Sequence, residues 1–311
     1  MVEKPAGQRL KSVCPCLCVG TGAVFRFYTR ENGMDESCTG FVIYGLNEGV
    51  TDTISWLKKA IELFEQAGVQ IDKCALAAPG FSGKLVSFAR SKAKIASLDA
   101  GVGSFQLVGL TSEGRHPVFD FRIYVEVSLE KGVAYLVAES ALWRQNERAI
   151  ADLVDLMVVS APPGYAFEYE RTRSAGVATY ALGMEQANWD GRSEDSDSEG
   201  LNISFWNTAW KEAVWKQGQM RSVYLQNYLN RHHLDRPIEG MSLETWISAG
   251  EHRGHLRQMS RDRWVWDTRE ADRDGLRRAL WREGILFNWA KDLEGASKHP
   301  NAGEITIPWG N

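Results

Sequence analysis

The chain has little of what most often declares a function. Five cysteines occur in 311 residues, and none lies beyond Cys74. An odd set bunched toward the N-terminus is not the framework of a disulfide-stapled secreted domain. No window approaches the roughly 20 apolar residues that a membrane-spanning helix needs. Met1 to Lys11 carries charge, but Cys14-Pro15-Cys16-Leu17-Cys18 is too short an apolar core to follow it, so no secretory signal is expected and the cytoplasm is the expected compartment. Net charge is also small: 36 basic against 40 acidic residues leave −4. That balance argues against direct nucleic-acid binding and suits a basic protein partner better.

Phosphate-binding loops are missing too. Gly80-Phe81-Ser82-Gly83-Lys84 has too few residues between its glycines, and Leu85 stands where a Ser or Thr should follow. Lys84 also occupies the last glycine of a nucleophile elbow. Gly101-Val102-Gly103 has Gln106 at its third glycine position, so it is no dinucleotide fingerprint.

Metal-ligating candidates are few. Cys14, Cys16 and Cys18, with Cys38 as a fourth, invite a zinc reading, but a structural site usually uses two separated pairs. Small apolar residues opening a strand explain them better. His232, His233 and Asp235 form the sharpest enzyme-like cluster. Adjacent histidines in an extended segment point in opposite directions, so at most one serves a given site. His252 and His255 flank Arg253-Gly254 and read as a polar turn. No catalytic residue, metal or cofactor is therefore expected. The enzyme alternative is a metal-dependent hydrolase using His232 or His233 with distant carboxylates.

What is present is a patterned, ordinary globular composition, 44% hydrophobic and 24% charged. Ala23 to Arg30 and Val118 to Glu126 alternate apolar and polar residues as half-buried strands do. A second strand follows each, at 39–46 and 133–138. Helices come next: Thr53 to Gln66, with Ile54, Leu57, Ile61 and Phe64 on one face, and Asn146 to Val158, with Ile150, Leu153, Val154 and Met157. A third strand follows each helix, near 71–77 and 165–170. Between the units, 82–96 reads as a helix and 104–110 as a strand. The expected fold is α+β: two β-β-α-β units with mixed or antiparallel sheets, N-terminal 1–112 and C-terminal 113–311, the latter with a tryptophan-rich extension. A pocket between the two units would make the chain a small-ligand-binding regulatory module.

Residues 186–200 interrupt this pattern. Asp190, Glu194, Asp195, Asp197 and Glu199 face a lone Arg192 there, as in a solvated acidic loop that could steer a basic partner. Beyond it the aromatics crowd: ten of the twelve tryptophans lie at or after Trp189. Trp206, Trp246, Trp264 and Trp281 are expected in the core, since exposed tryptophan is reserved for interface hot spots. Asp272 to Leu286 alternates arginines with acids, as a salt-bridged helix does.

The stretch 221–266 carries the most information. Tyr224-Leu225-x-Asn227-Tyr228-Leu229 is followed by a Pro237-Ile238-Glu239-Gly240 turn. A Ser242-Leu243-x-x-Trp246-Ile247 helix, Arg253-Gly254-x-Leu256 and a Trp264-Val265-Trp266 strand complete it. Together with Pro163-Gly164-Tyr165-Ala166-Phe167-Glu168, which follows a helix ending near Val159, this pattern resembles the immunity-protein-52 family of bacterial toxin immunity proteins. Upstream, residues 1–110 share little of it. The resemblance implies an antitoxin that binds and neutralises a cognate antibacterial toxin by steric or electrostatic blocking. The partner it implies is a restriction-endonuclease-like DNase delivered by type VI secretion, in interbacterial competition.

Overall fold

A computed structural model describes residues 36–46, 49, 52–111, 117, 120–162, 164–173, 175–183 and 206–288. Cys14, Cys16 and Cys18, the strand expected at 23–30, and the acidic segment 186–200 lie outside these residues. The elements are β1 (Ser37–Tyr44), α1 (Thr53–Gln66), β2 (Lys73–Ala77), β3 (Val86–Ser87), α2 (Phe88–Ala96), β4 (Ser104–Leu110), β5 (Phe121–Ser128) and β6 (Val133–Glu139). They continue with α3 (Ser140–Gln145), α4 (Glu147–Ser160), β7 (Tyr165–Thr172), α5 (Val177–Ala181), β8 (Gln226–Leu229), α6 (Arg231–Leu234), β9 (Pro237–Ile238) and β10 (Met241–Ser242). The last are α7 (Leu243–Ala249), β11 (His255–Ser260), β12 (Arg263–Asp267) and α8 (Glu270–Arg282).

The fold is α+β. Ten strands form one sheet in the order β11-β12-β8-β7-β1-β6-β5-β4-β2-β3, and β9 and β10 form a separate small hairpin. Every pairing within the large sheet is antiparallel. The stretches 1–112 and 113–311 interleave within it. β1 lies between β6 and β7, and β4 pairs directly with β5. The boundary at 112 therefore marks no break in hydrogen bonding.

Strand alternation sends side chains to two faces, and a different cover lies on each. On one face Trp56, Leu57, Ala60, Leu63 and Phe64 of α1 and Ile150, Leu153, Val154 and Met157 of α4 bury against Phe41, Ile43, Leu107, Val125 and Leu136. Asp52 starts α1 by accepting from the Ser55 backbone N–H at 3.1 Å. Trp56 Nε1 ties the two helices together by donating to Ser160 Oγ at 2.8 Å.

On the opposite face the C-terminal extension covers the aromatic sides of β1 and β7. Tyr44 is the centre of that contact. Its ring lies 5.6 to 6.3 Å from those of Tyr165, Phe167, Trp206, Trp210 and Trp215. Its hydroxyl donates to the Ala181 carbonyl at 2.5 Å and accepts from Trp206 Nε1 at 3.0 Å. Gly40 sits in mid-strand because the ring of Tyr169, its partner across β1 and β7, lies over it. A Cβ at position 40 would come within 2.5 Å of Tyr169 Cζ.

Candidate partner-binding face

One row of side chains crosses the whole sheet on its helical face. In register it reads Val86, Cys74, Leu107, Val125, Leu136, Phe41, Glu168, Gln226, Asp267, His255. The first six are apolar and the last four are polar. The change comes between β1 and β7. Beyond it, the sheet presents carboxylates where the other half presents hydrophobic side chains to helices.

Glu168 is the centre of the polar half. Its side chain is half-buried and has no hydrogen-bond or ion-pair partner among the described residues. Burial, followed by the charges of Glu147, Asp267 and Glu170, pushes its carboxyl up to about 7. Burial also raises Asp267, against the opposing effects of Arg257, His255 and Gln226. Arg257 Nε reaches Asp267 Oδ2 only at 3.9 Å. Glu170, the next residue on this face of β7, is engaged. Ser37 Oγ donates to its Oε1 at 2.6 Å and Ser140 Oγ at 3.1 Å, and Thr39 Oγ1 lies 2.9 Å from Ser140 Oγ. The strip is rich in acceptors and short of cations. Among the described residues it shows no nucleophile paired with a base, and such a surface is chemically suited to ammonium or guanidinium groups.

The histidine cluster is arranged differently from its sequence expectation. His232 and His233 lie on the short helix α6, not on an extended segment. Asn230 caps that helix, accepting from the His233 backbone N–H at 3.2 Å, while His233 Nδ1 accepts from the Asn230 backbone N–H at 3.3 Å. The His233 ring is fully buried, 5.3 Å from the Tyr165 ring, whereas His232 is exposed. Burial, helped by Arg263 and His232, lowers His233 to about 3, so it stays neutral. Among the described residues no group of three or more His, Cys, Asp or Glu side chains is placed to hold a metal ion. His252 sits at the expected turn, 3.4 Å from Asp272 Oδ1.

Trp206, Trp246 and Trp264 are buried as expected, and Trp281 is partly so. The residues of 221–266 pack rather than react. Asn227 accepts from the Tyr224 backbone N–H at 3.1 Å and donates to the Tyr224 carbonyl at 2.8 Å. Ser242 caps α7 by accepting from the Thr245 backbone N–H at 3.2 Å. Trp266 Nε1 donates to the Arg253 carbonyl at 2.7 Å, closing the turn that Gly254 makes at φ 81°. Asp190, Glu194, Asp195, Asp197 and Glu199, the acidic residues singled out from the sequence, lie outside the described residues. The strip at Glu168 was not singled out as a site. Its signal was the alternation in β7, where Tyr165, Phe167 and Tyr169 take one face and Glu168 and Glu170 the other.

No helix among the described residues is long and apolar enough to cross a membrane. No protein-family model and no curated protein matches the chain. Among solved structures it is similar to the Pseudomonas aeruginosa T6SS protein PA0821, with 12% identity, a TM-score of 0.50, and 81% of this chain and 73% of that chain covered. At that identity the likeness shows the fold alone.

Proposed function

We propose that this chain is an immunity protein of the immunity-protein-52 kind, which binds and neutralises a type VI-delivered antibacterial toxin. The target class is a basic nuclease of the restriction-endonuclease-like DNase type. The observation that carries the reading is Glu168, a half-buried carboxylate whose acting neighbours are all carboxylates. A free protein holds such a group at a cost, and a partner's arginine or lysine removes it. The strip from Glu147 to Asp267 is then the docking face, and inhibition is the covering of the toxin surface that meets DNA. Two further points support the reading. The motifs of 221–266 are packing residues, and the fold as a whole is similar to that of a T6SS protein. The acidic segment with Asp190, Glu194, Asp195, Asp197 and Glu199 supplies more charge of the same sign.

Co-expression with the toxin encoded beside it tests the proposal. Growth should be rescued, and tagged protein should retain the toxin in a stoichiometric complex. Wild-type protein that neither rescues growth nor retains any neighbouring toxin sinks it. Within a complex, Glu168→Lys should abolish retention. Charge reversal at Asp195, Asp197 and Glu199 should slow association and weaken its salt dependence. No observation among the described residues favours the metal-hydrolase alternative at His232 or His233: His233 belongs to a buried helix cap and His232 is exposed.

A further inference from the structure

A cleft of about 700 Å³ opens at the far end of β4 and β5, lined by Gly68 to Gln70, Asp72, Leu110, Thr111, Arg122 and Glu139. Its volume is within the range of small-molecule sites, roughly 300–1,000 Å³. It draws residues from both sides of position 112, and it shares none with the strip at Glu168. We infer that this cleft binds a small zwitterion, a free α-amino acid or a metabolite with the same ammonium and carboxylate pair.

Arg122 carries the anionic half of the inference. Glu139 is held from both sides: Arg173 Nη2 lies 2.7 Å from Oε1, and Arg122 Nε lies 3.4 Å from Oε2. Arg173 supplies the stronger pairing, and only the Nε edge of Arg122 is used. Its Nη1 and Nη2 have no partner among the described residues. The Arg122 side chain is 39% exposed against 16% for Glu139, and both residues line the cleft. A fixed guanidinium with its terminal pair of donors free is the geometry that receives a carboxylate through two hydrogen bonds.

Asp72 carries the cationic half. Its Oδ2 accepts from the Leu110 backbone N–H at 2.7 Å, which fixes the carboxylate at the rim. Among the described residues its Oδ1 meets only Gln70 Nε2, at 3.5 Å, a weak contact that leaves the oxygen able to accept from an ammonium. Leu110 pairs with Phe121, so β4 separates Asp72 from the strand that bears Arg122. Two strand spacings place the two backbones roughly 10 Å apart. Both residues line the one cleft, so a single small molecule carrying both charges would meet both.

Calorimetric titration and thermal shift of the full chain test this with L-alanine, L-glutamine and L-glutamate at millimolar concentration. N-acetyl-L-alanine, which lacks the ammonium, and L-alaninamide, which lacks the carboxylate, are the one-ended controls. Inorganic phosphate serves as the control for a bare anion. At least one amino acid should bind and raise the melting temperature by several degrees, with either one-ended control about tenfold weaker or more. Arg122→Gln should remove binding, and Asp72→Asn should remove the preference for L-alanine over N-acetyl-L-alanine. Binding of none of the three amino acids overturns the inference. So does phosphate binding as well as they do, or binding that survives Arg122→Gln. The comparison of wild-type protein with the one-ended controls decides the matter even if a variant fails to fold. Toxin retention uses other residues, so the two readings fail separately.

Discussion

The guanidinium of Arg221 lies 3.8 Å from the ring centroid of Tyr180, and its Nη1 donates to that residue's carbonyl at 2.7 Å. Phe167 and Trp206 stand 5.9 and 5.8 Å from the same cation. Arg221 is buried, yet no carboxylate lies within ion-pair distance among the described residues. Aromatic faces and one carbonyl hold the charge in place of a salt bridge. This cation joins the C-terminal extension to the sheet.

Replacing Arg221 with methionine should therefore destabilise the protein by about 2–4 kcal/mol, because the cation–π contact and the hydrogen bond to the Tyr180 carbonyl go together. Urea unfolding monitored by tryptophan fluorescence measures it. A change below about 0.5 kcal/mol, the size of an ordinary surface substitution, would refute the role given to Arg221.

Glu168 makes stability fall as pH rises. Its folded pKa of about 7 stands above its ordinary 4.5, so between those values the folded state keeps a proton that the unfolded chain has released. Unfolding free energy then decreases across that window and levels off above it. Glu168→Gln should remove this slope and gain on the order of 2 kcal/mol relative to wild type on passing from the bottom of the window to its top. Denaturation at several pH values checks it, and parallel curves for the two proteins would contradict it.

His233 acts in the opposite direction. Its folded value near 3 lies below the ordinary 6.5, so stability is full above 6.5 and is lost as pH falls toward 3. Each unit of acidification within that window should cost about 1.4 kcal/mol. His233→Gln, which cannot titrate, should be less stable at neutral pH, where the cap and the packing are lost, yet lose less on acidification. NMR titration of the ring resonances gives a second check: a midpoint near 6 would exclude the buried neutral ring.

Gly40→Ala tests the close approach of Tyr169. The added methyl would meet the ring, and overpacking of this kind should cost about 1–3 kcal/mol. The paired change Gly40→Ala with Tyr169→Leu should recover part of that loss. Thermal unfolding of the two single variants and the pair supplies the comparison, and strict additivity would mean that the two sites do not interact.

Much of the fold could be read in the sequence where the signal was local. The helix at 53–66 and the strand at 104–110 have the expected bounds, because periodicity and turn residues act over one element. The buried stripe of α1 is rotated from the expected one: Trp56, Ala60 and Leu63 are buried, and Ile54 and Ile61 lie at its margin. The His232–His233 segment reads as extended chain in the sequence, whereas the spacing from Asn230 to His233 caps the short helix α6. Glu168 could not be placed as a site in advance. Its crowding depends on Asp267, 99 residues later, and on Gln226 between them, and only strand pairing brings these together.

The position of β1 has a consequence for synthesis. Its two partners, β6 and β7, are made about 100 and about 130 residues after it, with Cys38 opposite Glu139 and Thr39 opposite Glu170. Until those strands leave the ribosome, β1 has both edges open and its apolar residues exposed. A nascent chain halted before residue 133 lacks every strand that pairs with β1 in the finished sheet. The centre of the sheet is thus made well before it is enclosed, so the unfinished chain is most vulnerable to aggregation where the finished protein is most secure.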